Sequence, residues 1–179
     1  MQNHASNLFW FPFYTDQRFE RSRSKMSHAP VDKEIVFVPP GSVVVAEGAL
    51  ILRTLVGGGM CVTVWNDTAM VGGMNHFLEP HAYGGLSIGG SYGDSAMREL
   101  IQAMCSRCSD CRFNAAVYGG AGQTIPEKER AEDNLAQAML VLERAGIPVR
   151  TTSVGGAGTR EITFDLTAGV VRAEWATAE

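Results

Sequence analysis

Residues 57–76 read GGGMCVTVWNDTAMVGGMNH, and two side chains in this stretch could do chemistry together: the thiol of Cys61 and the imidazole of His76. A cysteine attacks as thiolate. A free thiol, with a pKa of about 8.5, is mostly protonated at neutral pH and needs a base or a positive field beside it. An attacked carbonyl also needs backbone N–H groups where negative charge develops on its oxygen. The glycines before Cys61 suit that second requirement, because they admit positive φ and leave room for a substrate to approach the main chain. A thiol, an imidazole and a glycine loop together describe acyl transfer at an amide or ester.

The residues between them say how they could meet. CVTVWN alternates as a strand, with Cys61, Thr63 and Trp65 facing opposite to Val62, Val64 and Asn66. Asn66-Asp67-Thr68 is a turn and AMVGGMNHF the returning strand of a hairpin, so Cys61 and His76 fall side by side at its open end. Period-two counting leaves the face of His76 open, since Gly72-Gly73 has the composition of a bulge or a close backbone approach. A cysteine opening an apolar strand is also commonly a small buried hydrophobe, and Thr54, just before the glycines, is an ordinary strand residue. On spacing alone, the catalytic and the structural readings both stand.

Further out, EIVFV, SVVVAEGALILRTL, FNAAVYGG, IPVRTTSV, REITFDL and VVRAEWA read as strands, the last two joined around Thr167-Ala168-Gly169. One helix, capped by Ser91 or Asp94, sets Met97, Leu100, Ile101 and Met104 on one face. A second, over about 127–145, presents Leu135, Ala138, Met139 and Leu142, with Gly146 at the left-handed C-terminal position. Strands outnumber helices, and hairpins occur at both ends. This pattern predicts an α+β fold, a layered sandwich of mostly antiparallel β-sheet with two main helices. Residues 1–30 carry aromatics and arginines without a usable period and are expected to be a flexible N-terminal extension, leaving 31–179 as one domain.

Composition narrows the function. The chain has 179 residues, a formal net charge of −4 and no concentrated cationic face, which argues against nucleic-acid binding. No apolar run approaches the roughly 18–20 residues that span a bilayer, and the start lacks the form of a secretory signal. A cytoplasmic protein with reduced cysteines is expected. CSRCSDC sets Cys105, Cys108 and Cys111 at a spacing used by zinc and iron–sulfur sites. No fourth cysteine or histidine follows nearby, so incidental or redox-sensitive thiols, and no metal, are expected. GGSYGD and GGAGQT lack the lysine and hydroxyl residue of a phosphate loop and read as tight turns; no cofactor is expected.

Taken in order, TLVGGGMCVTVWND, VGGMNHFLEP, YGDSAM, AAVYGGA, the helix containing Asn134, AGIPV and VGGAGTREITFD resemble the CheD family, the chemoreceptor glutamine deamidases of bacterial chemotaxis. The likeness runs from about Val44 to Val171. It implies a fold similar to the catalytic domain of cytotoxic necrotising factor toxins. It also implies a thiol hydrolase that converts glutamine side chains of methyl-accepting chemotaxis receptors to glutamate with release of ammonia. By position, the nucleophile falls on Cys61, the histidine on His76 and a supporting threonine on Thr54. Backbone amides around Gly59 to Cys61 would hold the oxyanion, Gly58, Gly59 and Met60 would line the substrate, and Gly119, Gly120 and Ala121 would shape the substrate cleft. The resemblance further implies a CheC-type phosphatase as a partner. One departure is local: the family's leucine-glycine-serine-cysteine approach is replaced by Gly58-Gly59-Met60-Cys61, with one extra residue after the threonine. That departure sustains two alternatives. One is a non-catalytic CheD-like module that binds receptors or a phosphatase; the other is a thiol hydrolase aimed at other proteins.

Overall fold

The run SVVVAEGALILRTLV reads as one extended stretch, but the chain breaks it at Gly48, where φ is +91°. The residues before and after that glycine join different sheets. The computed structural model describes residues 33–82, 89–110 and 112–176; the extension expected over 1–30 lies outside them. Their elements are β1 (Glu34–Phe37), β2 (Ser42–Glu47), β3 (Leu50–Val56), β4 (Met60–Asn66), β5 (Val71–Phe77), α1 (Gly93–Arg107), β6 (Asn114–Gly119), α2 (Ile125–Arg144), β7 (Val149–Val154), β8 (Arg160–Asp165) and β9 (Val170–Trp175).

One sheet has five strands in the order β2-β5-β4-β6-β7, the other four in the order β1-β3-β8-β9. Only β1–β3 and β6–β7 pair in parallel, so the sheets are mostly antiparallel, as expected. The alternation of β4 decides the layering. Met60, Val62 and Val64 face the helices, packing with Met97, Leu100 and Met104 of α1 and Ala138 and Leu142 of α2. Cys61 faces the other way and packs with Met74, Tyr118, Leu52, Ile162 and Phe164, between the sheets. The result is helices on a five-stranded sheet on a four-stranded sheet.

Gly72 and Gly73 make no bulge, since β5 keeps an unbroken register with both neighbours. They thin the strand instead. A Cβ at Gly72 would lie 2.4 Å from Leu166 Cδ2, and one at Gly73 2.6 Å from Leu100 Cδ1, so side chains of both outer layers close on bare backbone.

The helix ends differ in detail from expectation. Tyr92 is the N-cap of α1 and makes no side-chain cap bond; Asp94 sits inside the first turn instead. Helix α2 starts at Ile125, after a capping box in which Thr124 and Glu127 satisfy each other's backbone N–H groups. Its buried stripe is Ala131, Asn134, Ala138 and Leu142, while Met139 is 39% exposed. Asn134 explains the rotation: its amide donates to the Leu78 carbonyl at 2.9 Å, which turns that side of the helix toward the exit of β5.

Candidate active site

The hairpin places its two chemical groups by pairing alone. His76 is held on both sides, opposite Ser42 on β2 and opposite Cys61 on β4, and its carbonyl accepts from Gly41 N–H at 2.7 Å. Direct cross-strand partners project to the same face with Cβ atoms about 5 Å apart, so the thiol and the imidazole lie side by side between the sheets. Asn75 guards this register from the opposite face. Its Oδ1 accepts from Val62 N–H at 3.0 Å, and its Nδ2 donates to Met97 Sδ at 3.2 Å. At the far end, Asn66 Oδ1 accepts from Thr68 N–H and Ala69 N–H at 3.0 and 2.8 Å, closing the turn.

The third group comes from the other sheet. Thr54, on β3, is fully buried, and its Oγ1 lies 3.0 Å from His76 Nδ1. Sheet-on-sheet packing therefore delivers Thr54 to the imidazole, which no counting along a strand could foresee. With Nδ1 engaged, Nε2 is the nitrogen left for another partner. A Cβ at Gly59 would lie 3.1 Å from that Nε2 and 2.7 Å from the Phe77 carbonyl oxygen. Positive φ is not the reason for the triple glycine, because Gly57, Gly58 and Gly59 all lie outside that region. Gly59 is small because the imidazole and the β5 backbone occupy the space.

Gly119 and Gly120 join the same end. Gly119 has φ +121°, its Cβ would lie 2.3 Å from the Gly59 carbonyl oxygen, and Gly120 N–H donates to that oxygen at 2.8 Å. Gly58 approaches the Ala121 carbonyl, which a Cβ would meet at 3.3 Å. Met60 reaches this end through its backbone, while its side chain is buried on the helix face, opposite to Cys61. Met60 and Cys61 also stand in ladders with both β5 and β6, so the candidate oxyanion donors move back to the amides of Gly58 and Gly59.

Burial sets the electrostatics. Cys61 is 0% and His76 2% exposed. Loss of water pushes the thiol well above its ordinary pKa and the imidazole down to about 4. Both shifts favour a neutral thiol beside a neutral imidazole at pH 7. Tyr118, opposite Cys61 on β6, is pushed up to about 12, chiefly by burial and then by the nearby sulfur.

Thr54→Val tests the orienting bond. The isostere leaves Nδ1 buried without a partner and frees the ring to rotate, so turnover is expected to fall about ten- to a hundredfold. The loss should appear in kcat with KM nearly unchanged, as steady-state kinetics would show.

Two other groups stand out. Arg160 is only 6% exposed, and its guanidinium lies 4.1 Å from the ring centroid of Trp175. The sequence carried a sign of it: in REITFD, Arg160 shares a face with Ile162 and Phe164, which are buried. Of the clustered cysteines, Cys108 is buried, Cys105 half-buried, and Cys111 lies outside the described residues. Among the described residues no three metal-ligating side chains converge.

The family model described as CheD chemotactic sensory transduction matches residues 80–174, a segment that begins just after His76. The probable chemoreceptor glutamine deamidase CheD of Pseudomonas syringae pv. tomato is 32% identical over 151 residues, covering 79% of this chain and 89% of that protein. The probable chemoreceptor glutamine deamidase CheD 1 of Chromobacterium violaceum is 32% identical over 148 residues, covering 77% and 76%. CheD 2 of Albidiferax ferrireducens, named likewise, is 30% identical over 152 residues, covering 79% and 86%. A stretch covering 79% of 179 residues includes positions 54 to 76 wherever it begins, so the likeness extends over the hairpin and its threonine. The chain belongs to the CheD family.

Proposed function

We propose that this protein deamidates glutamine side chains of methyl-accepting chemotaxis receptors, with Cys61 as nucleophile, His76 as general base and acid, and Thr54 as the group that orients His76. One observation carries the reading: Cys61 and His76 are direct partners in a doubly paired ladder, and Thr54 Oγ1 engages Nδ1 of the imidazole at 3.0 Å, leaving Nε2 available. His76 Nε2 takes the thiol proton, and the sulfur attacks the amide carbon. The oxyanion is held by amides of the Gly58-Gly59 loop. Collapse expels ammonia, protonated by His76, and leaves a thioester. The imidazole then activates water, which hydrolyses the thioester to glutamate and restores the thiol. Metal and cofactor have no part in this scheme. The protein works on the cytoplasmic part of the receptor, and pairing with a CheC-type phosphatase rests on the family resemblance alone.

The test is to incubate the protein with receptor cytoplasmic domains, measuring ammonia and the glutamine-to-glutamate mass change by peptide mass spectrometry. Ammonia with the matching mass change is expected. Association without either would favour the second reading, a CheD-like binding module, for which the complete burial of Cys61 speaks.

A further inference from the structure

A thiol with 0% exposure cannot be touched by a protein substrate until something beside it moves. The strands around it are poorly suited to move. β4, β5 and β6 are each paired on both sides, with helices packed behind and the second sheet in front. What remains is a set of three glycine-rich segments at one end of the sheet: residues 57–59 before β4, 119–122 from the last residue of β6 onward, and 155–159 between β7 and β8. They are stitched together by backbone bonds: Gly120 N–H to Gly59 O at 2.8 Å, Ala121 N–H to Gly57 O at 2.9 Å, Gly122 N–H to Gly156 O at 3.0 Å and Gly155 N–H to Gly119 O at 2.9 Å.

We propose that Arg160, stacked on Trp175, is the positioning residue that holds these loops closed over Cys61, and that substrate enters when this latch is released. Its Nη1 donates to Gly119 O at 3.2 Å and its Nη2 to Gly155 O at 2.6 Å, so one side chain spans two of the three loops. Trp175 is its direct cross-strand partner on β9 and stacks on the guanidinium. A Cβ at Gly156 would lie 2.8 Å from the indole, so the 155–159 loop is held by the ring as well as by the guanidinium. The ion pairs of the described residues include no carboxylate for Arg160. Neutral carbonyls are acceptors that an incoming amide or carboxylate can displace. Two carbonyls held at once require the guanidinium fork, which a lysine does not supply. Trp175, 53% exposed, puts the outer half of the latch where a partner can reach it.

The importance of the latch for catalysis rests on Cys61 being the nucleophile; the closure itself does not, so the test reads the thiol directly. Trp175→Ala removes an exposed residue at the end of an edge strand and spares the core; Arg160→Lys keeps the charge and loses the fork. Each variant is treated with iodoacetamide, and alkylation is followed peptide by peptide. Cys61 is expected to react about tenfold faster in both, equivalent to about 1.4 kcal/mol less resistance to opening. Cys108, buried on the helix side, should keep its wild-type rate. An unchanged Cys61 rate overturns the proposal. Equal acceleration at Cys108 does too, because it reports general loosening. So does acceleration by Tyr118→Ala alone, which would place the entrance along the groove of about 290 Å³ that reaches Tyr118 between the sheets. A protein that releases no ammonia would refute the deamidase reading and leave these rates intact as a test of the latch.

Discussion

Cys61→Ala is expected to lower ammonia release from receptor domains by at least about a thousandfold while leaving receptor association unchanged. The size follows from the chemistry. Without the sulfur no thioester forms, and the site retains only its binding and its oxyanion donors. Alanine is the informative substitution because the position is fully buried between the sheets. Removing one sulfur there leaves a small cavity costing about 1 kcal/mol, whereas serine would bury a hydroxyl that costs about 1–3 kcal/mol without a partner. A folded Cys61→Ala protein that still releases ammonia at the wild-type rate would eliminate Cys61 as nucleophile. Loss of turnover with intact binding would separate the enzyme from a binding module in a single experiment.

The pairing of Cys61 with His76 was legible in the sequence because both ends of a hairpin are set by one short turn, and period-two alternation correctly put Cys61, Thr63 and Trp65 on one face. The facing of His76 was not legible, since it depended on whether Gly72-Gly73 breaks the ladder. It does not, because both glycines serve packing from the layers above and below. The contact of Thr54 with His76 was legible only through family resemblance. Thr54 belongs to the other sheet, and the split that sends β2 and β3 to different sheets is marked locally by a single glycine, Gly48, which does not say where either strand goes. The side chain of Met60 lies on the helix face because neighbours on a strand point to opposite faces, so adjacency to Cys61 in sequence brings only its backbone to that end of the sheet. Arg160 was overlooked although its alternation with Ile162 and Phe164 assigned it to an apolar face, and a charged residue in that register asks for an explanation.

The closed conformation and the neutral pair belong together. A thiol stripped of water resists ionisation, and an imidazole in the same space resists protonation, so the proton transfer that starts the reaction is unfavourable while the loops are shut. Entry of a polar glutamine amide would bring donors and acceptors into that space and lower the cost of separating charge. On this view the glycine loops limit both access and activation, and an idle enzyme keeps its nucleophile unreactive toward other electrophiles.

His76 couples the site to the stability of the whole fold, and acid should expose that coupling. In an unfolded chain a histidine takes up its proton near pH 6.5, but burial holds His76 to about 4 in the folded protein. Between these two values the unfolded state binds more protons, so stability falls as pH is lowered through the window. No contribution is lost above it, and the full loss, about 3 kcal/mol, is reached near its lower end. The carboxylates with depressed values, Asp165 and Glu127 among them, lose their contributions only below the ordinary carboxylate range, so the upper part of the window belongs to His76. Urea denaturation at about pH 7.5 and about pH 4.5 measures the difference. His76→Gln, which carries no titrating ring, should flatten most of it, and should also abolish ammonia release because no base remains for the thiol. Equal pH dependence in wild type and His76→Gln would mean that the imidazole is not held neutral between the sheets. The proton acceptor for Cys61 would then have to be sought elsewhere.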